Sequence, residues 1–180
     1  MRSDARRNRE LIVASALRML SGYGADVPME RIAREAGVAV GTIYRHFPDR
    51  QALLLGIATD ALRDLLAFSR VATDAEGPRG PVLTGIVGHC MGLPLALVKS
   101  LAEAPVVSPE LTHLQGEFDD VLRLTVTTAQ EEGALRRDLS PDEIVDLIQV
   151  MVCRPGARFD DPMTRVMLDG LRPPAGSRPN

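Results

Sequence analysis

Between Ile32 and Phe47 the chain reads IAREAGVAVGTIYRHF, and no other stretch restricts the fold as tightly. Met29, Ile32, Ala33 and Ala36 recur at i, i+3, i+4 and i+7, and Val40, Ile43, Tyr44 and Phe47 repeat that spacing directly afterwards. Each set is a helical stripe. Only a tight turn fits between them. Gly37 can take the positive φ that ends a helix sharply without a Cβ penalty, and Ala33 is small enough to let the second helix cross the first closely. The spacing predicts a helix-turn-helix. Once Ile43 and Phe47 turn inward, Thr42, Arg45, His46 and the phenol end of Tyr44 are left on the other face, where hydrogen-bond donors suit phosphates and base edges.

Charge supports this reading once it is divided along the chain. The formal net charge of −3 argues against a generally basic nucleic-acid binder. Residues 1–50, however, hold nine arginines against the six acids Asp4, Glu10, Asp26, Glu30, Glu35 and Asp49, a balance of +3 that leaves −6 for the rest. A basic head on an acidic body is drawn to DNA in one orientation. A split of this size also arises by chance, so it adds to the motif without replacing it.

The remainder of the chain reads as helices only. Hydrophobic residues make up 45% of it, enough for a globular core. No apolar run approaches the roughly 20 residues needed to cross a bilayer, and no signal-peptide pattern follows Met1, so a cytoplasmic protein with no membrane partner is expected. A first helix is expected from about Asp4 to Leu20, buried through Ile12, Ala16 and Met19/Leu20, with Arg6, Arg7 and Arg9 near its start and Gly22 and Gly24 closing it. Pro28 reads as a first-turn proline of the second helix. Asp49 reads as the cap of a long fourth helix through Leu53, Ile57, Leu62 and Leu66. Asp74 to Pro81 is a Gly- and Pro-rich break. A helical stretch from Val82 to about Ala104 is kinked or split at Gly92-Leu93-Pro94. Ser108-Pro109 opens a helix that stops at Gly133, and Ser140-Pro141-Asp142-Glu143 is a capping box. The last helix starts near Asp161-Pro162, and the tail over 173–180 is expected to be disordered.

Catalytic and metal chemistry find little footing. His46, His89 and His113 stand beside no G-x-S-x-G, phosphate loop or H-E-x-x-H motif, and Cys90 and Cys153 form no C-x-x-C pair. No cofactor and no metal are expected, although a small helical enzyme or metal protein is the alternative from another class. A helical bundle can instead enclose a mostly apolar pocket. Its candidate lining residues are Cys90, Met91, Phe118, Leu122, Gln149 and Met151, with His89 or His113 as a polar anchor. The adaptable methionines point to a mostly apolar small molecule.

The run from Met29 to Val38, then Gly41-Thr42-Ile43-Tyr44-Arg45-His46-Phe47-Pro48-Asp49-Arg50 and Leu53-Leu54, resembles the signature of the TetR family of bacterial transcriptional repressors. The resemblance covers about the first third of the chain; the rest is similar only in length and helical pattern. It implies an all-α fold in which a three-helix helix-turn-helix DNA-binding domain (1–48) is joined by a long fourth helix to a C-terminal ligand-binding and dimerisation bundle (49–172). It also implies a homodimer that leaves a palindromic double-stranded DNA operator when a small-molecule effector binds. Val38, Val40 and Arg45 would read bases; Thr42, Tyr44 and His46 would touch phosphates; Gly41 would let the backbone approach, and Arg50 would replace the lysine usual in the family. Where a threonine commonly caps the second helix, this chain has Val27-Pro28, so one phosphate contact is missing. In the family the last two helices pair with their copies, which points to Ile144, Leu147, Ile148, Met151, Met163, Val166 and Met167 as the dimer interface. A DNA-binding dimer that answers to a protein partner and holds no small molecule remains an alternative.

Overall fold

The computed structural model describes residues 2–23, 27–104 and 108–173, and among them the regular structure is helical throughout. Nine helices follow in order: α1 (Arg2–Tyr23), α2 (Met29–Glu35), α3 (Val40–His46), α4 (Arg50–Asp74), α5 (Arg79–Cys90), α6 (Leu95–Ala102), α7 (Pro109–Glu131), α8 (Pro141–Val152) and α9 (Pro162–Gly170). The expected disordered tail falls almost wholly outside the described residues. The chain divides into two compact units, Met1–Ile57 and Ala58–Asn180, and the division falls inside α4.

In the first unit, α1, α2 and α3 pack on one another around Ile12, Ala16, Met19, Ile32, Ala33, Ile43, Phe47, Leu53 and Ile57, all buried. Burying each large side chain contributes about 1.5–3 kcal/mol, and that packing is what holds α2 and α3. At seven residues apiece, neither would persist alone. Their junction is a Schellman turn. The Gly37 N–H donates to the Arg34 carbonyl at 3.2 Å and the Val38 N–H to the Ala33 carbonyl at 3.0 Å, with Gly37 at φ +68°. Two expectations shift. Gly22 lies within α1, which runs past Leu20, while Gly24 lies outside the described residues. Pro28 is the N-cap of α2, with φ −64° and ψ 146°, and the helix proper begins one residue later.

In the second unit α7 packs against α5 and α8, and α8 packs against α9. The inner face of α7 buries Leu111, Leu114, Phe118, Leu122 and Thr125, while Val121 is half-buried. The Gly- and Pro-rich break is short, because α5 already starts at Arg79 and takes Pro81 into its first turn, where no backbone N–H has a helical partner to lose. Past Cys90 the axis turns by 81° into α6, since Pro94 cannot donate to the ladder. The capping box at Ser140 is complete: Glu143 accepts from the Ser140 N–H at 2.7 Å and donates its own N–H to the Ser140 hydroxyl at 3.3 Å. Gln130 stitches the α7–α8 connection, its amide donating to the Arg136 and Leu139 carbonyls, each at 2.8 Å. Asp161 caps α9 by accepting from the Thr164 N–H at 2.8 Å and is ion-paired with Arg154. Among the described residues, no single helix is long and apolar enough to cross a membrane.

Candidate functional site

The packing of α3 decides which of its side chains face outward. Ile43 and Phe47 are buried, at 0% and 4% exposure, whereas Val40 keeps 45% and Tyr44 40%. The four-residue stripe is therefore divided: one half anchors the helix, and the other half joins Gly41 and Arg45 on the exposed face, with Thr42 and His46 half-buried at its edges. Val38, just before α3, is also half-buried. All of the expected DNA contacts from 38 to 46 thus stand on or beside one short helix.

Three contacts fix this face. Phe47 presses against α4 at Gly56, where an added Cβ would come within 2.8 Å of the ring; the glycine makes room for the anchor of α3. The Arg9 guanidinium lies 5.4 Å from the Phe47 ring centroid, a cation–π contact that gives this arginine a role inside the unit. The Tyr44 hydroxyl donates to the Glu30 carboxylate at 2.7 Å, joining α3 to the first turn of α2. That bond holds Glu30 below the usual carboxylate range and pushes the Tyr44 phenol above its own. A phenol has one proton, and here it is committed to Glu30.

The expected backbone contacts divide in a similar way. Gly41 is surrounded by open space where a Cβ would stand, so nothing inside the unit demands glycine there. Arg50 is half-buried in the first turn of α4 and donates to the Val27 carbonyl at 2.6 Å, so its guanidinium ties α4 to the segment before α2. Asp49 caps α4 as its sequence position suggests, accepting from the Ala52 N–H at 2.7 Å. Glu30 and Gly56 are the participants that sequence reading missed. Glu30 gave no signal, its partner lying fourteen positions away; Gly56, a poor helix former inside a helix, did give one.

Residues 12–57 match the family described as bacterial regulatory proteins, tetR family, and residues 83–173 match the family described as transcriptional regulator SbtR-like, C-terminal domain. An HTH-type transcriptional regulator of Staphylococcus aureus (strain USA300) is 43% identical over 54 residues, a match that spans 29% of this chain and 29% of that relative's length. The TetR transcription regulatory protein from Mycobacterium vanbaalenii is 31% identical in a superposition covering 95% of this chain and 98% of that one, with a TM-score of 0.66. This chain belongs to the TetR family. The TetR transcriptional regulator SCO0520 from Streptomyces coelicolor is similar as well, at 26% identity, 93% and 99% coverage and a TM-score of 0.66. As a TetR regulator, the protein is a DNA-binding transcription factor and not an enzyme.

The second unit of this TetR protein holds a cavity of about 220 Å³ between α4, α6, α7 and α8. Of the six residues expected to line a pocket, Phe118 and Gln149 do so. The other four lie elsewhere: Cys90 and Leu122 are at most 1% exposed and belong to the core, Met91 is half-buried beyond α5, and Met151 lines a separate groove between α8 and α9. Burial pushes the Cys90 thiol up to about 12, as fits a core cysteine. Cys153, Asp119, Lys99 and Glu103 line the cavity instead. His89 stacks on Phe68 with ring centroids 4.2 Å apart and meets Asp64 at 2.8 Å, and His113 is exposed beside Glu117; neither lines the cavity.

The residues expected at a dimer interface also separate. Ile144, Ile148 and Met151 have at most 1% exposure, the inner face of α8 packing within its own unit, and Ile148 and Met151 line a groove between α8 and α9. Leu147 keeps 38%, Met163 53% and Val166 71%, and Val150, which the sequence reading passed over, keeps 56%. Met167 is half-buried beside Leu147 in a groove of about 220 Å³ between α8 and α9.

Proposed function

We propose that this TetR regulator works as a homodimeric repressor in the cytoplasm and leaves a palindromic operator when a small, mostly apolar molecule occupies the cavity of its second unit. The observation that carries the DNA half of this reading is the divided face of α3: Ile43 and Phe47 are buried while Val40, Tyr44 and Arg45 stand exposed. A recognition helix needs that division, with a rigid back and a polar front, and two such helices would enter successive major grooves roughly 34–36 Å apart. Arg45 is the base reader with the most to offer, since its guanidinium can bond both acceptors of a guanine edge; Val38 and Val40 would meet thymine methyls. Thr42, His46 and Tyr44 would face phosphates. Tyr44 would exchange its bond to Glu30 for one to a phosphate oxygen as the helix docks. The open space at Gly41 would let the α3 backbone come close to the duplex. Arg50 would act mainly by bracing α4 against Val27.

The experiment is to sequence the genomic fragments that the protein retains and measure affinity for them. Arg45→Ala should cost about 1–3 kcal/mol and relax preference at particular base pairs, whereas Tyr44→Ala should weaken binding to all sequences alike. If both variants bind as the parent does, α3 is not the reading helix.

A further inference from the structure

The cavity of the second unit carries a charge imbalance that identifies its occupant more closely. Its walls are largely aliphatic and aromatic, with Phe118 the largest side chain, and its polar groups are Lys99, Glu103, Gln115, Asp119, Gln149 and Cys153. Among these the one cation is already answered: the Lys99 ammonium stands 3.9 Å from the Glu103 carboxylate one helical turn along α6. Asp119 has no such partner in the cavity. Its carboxylate accepts a 3.0 Å bond from the neutral amide of Gln149. The nearest arginine on α7, Arg123, is engaged by Asp142 at 2.6 Å and by Asp120 at 2.9 Å. Burial accordingly pushes the Asp119 carboxyl above its ordinary value; the Gln149 bond and Arg123 work against that, and Asp120 and Asp146 with it. A half-buried carboxylate held only by a neutral donor is costly to keep ionised, and a cation beside it would remove that cost.

Resting on the reading of this cavity as the effector site, we infer that it takes an organic amine: a primary or secondary ammonium on an apolar body, the ammonium donating to the Asp119 carboxylate and to the amide oxygen of Gln149. Both acceptors belong to one bonded pair, since the Gln149 amide donates through its nitrogen and keeps its oxygen to accept. That arrangement favours a cation that carries N–H groups over a quaternary one. The volume of about 220 Å³ exceeds the roughly 150 Å³ in which an apolar cavity holds benzene, so a six-carbon chain or a single ring fits.

The test uses the full chain and four probes of matched size: hexylammonium, propyltrimethylammonium, 1-hexanol and hexanoate, each titrated by calorimetry and by thermal shift. Hexylammonium should bind at least tenfold more tightly than any of the other three, and Asp119→Asn should erase that preference. Hexanoate or hexanol binding as well as the amine, equal binding by Asp119→Asn, or no binding by any probe would each overturn the inference. Selectivity among the probes on the unaltered protein decides the matter even if Asp119→Asn folds poorly. Retention of DNA fragments is measured on the same preparations. Specific DNA retention with no amine binding would sink the amine and leave the regulator standing, whereas amine binding that leaves DNA affinity unchanged would keep the amine site and remove its role as effector.

Discussion

On α3 of the first unit, burial follows the needs of one small core: Ile43 and Phe47 go in, and the side chains left outside are those that can bond to DNA. On α8 and α9 of the second unit, Leu147, Val150, Met163 and Val166 stay exposed while Thr164 is buried at 0%. The difference lies in what each surface can gain. Exposed polar groups on α3 can be satisfied by water, or in the case of Tyr44 by Glu30, so their exposure costs little. Four exposed aliphatic side chains on two consecutive helices are a standing cost to a lone protomer, and a second copy would relieve it. A helix stripe therefore states its function in the head and leaves it ambiguous in the body, where core, cavity wall and partner surface are all lined with the same residue types.

Four measurements would break or sharpen that contrast. Ile43→Ala removes the buried anchor of α3 and should destabilise the first unit by roughly 2–5 kcal/mol, abolishing DNA retention with most helical signal intact. Unchanged DNA binding would mean that the head does not depend on its core. The two glycines that flank the reading surface should part company. Gly37→Ala, at φ +68°, should cost about 1–2 kcal/mol, because a side chain disfavours the left-handed region. Gly41→Ala, in open space on a helix, should stabilise by about 0.4–1 kcal/mol while weakening DNA binding. If Gly41→Ala improves stability and leaves affinity alone, the backbone of α3 does not approach the duplex.

The double variant Met163→Asp with Val166→Asp should convert a dimer to a monomer in size-exclusion chromatography and leave the helical signal of each chain in place; a dimer that persists would move the interface elsewhere. The smallest effect concerns the α8–α9 connection. Backbone N–H groups of Thr164 and Arg158, with Arg154 adding its charge, hold the Asp161 carboxyl well below the usual carboxylate range. Because its folded-state value is depressed, its contribution is complete above the usual range and is lost as the pH falls towards the depressed value. Asp161→Asn should lower the thermal midpoint at neutral pH, and the deficit against the parent should shrink in acid. A deficit independent of pH would show that the cap works through shape alone.

Local chemistry was legible in the sequence wherever one residue and its near neighbours settle the outcome. Gly37 ends α2, Asp49 caps α4, Ser140 and Glu143 box the start of α8, and Ser108-Pro109 opens α7, because each of these needs only a few consecutive residues. The cavity was legible only in part. Cys90 and Leu122 carry the same periodic signal as Phe118, yet they meet neighbouring helices, while Phe118 meets the space left where α4, α6, α7 and α8 fail to close. A void belongs to several helices at once and has no spacing within any of them. Asp119 escaped notice for a similar reason, since an acid beside Asp120 and Glu117 on α7 reads as solvated surface until Gln149 of α8 is placed beside it.

The brevity of α2 and α3 has a consequence for how such proteins diversify. Neither helix would hold its shape without the three-helix scaffold, and of the exposed side chains on α3 Tyr44, through its bond to Glu30, is the one that ties into that scaffold. Target choice and foldability are thus written in different letters on the same few turns. A descendant can be retargeted to a new stretch of genome, one outward substitution after another, without loosening the frame that carries it.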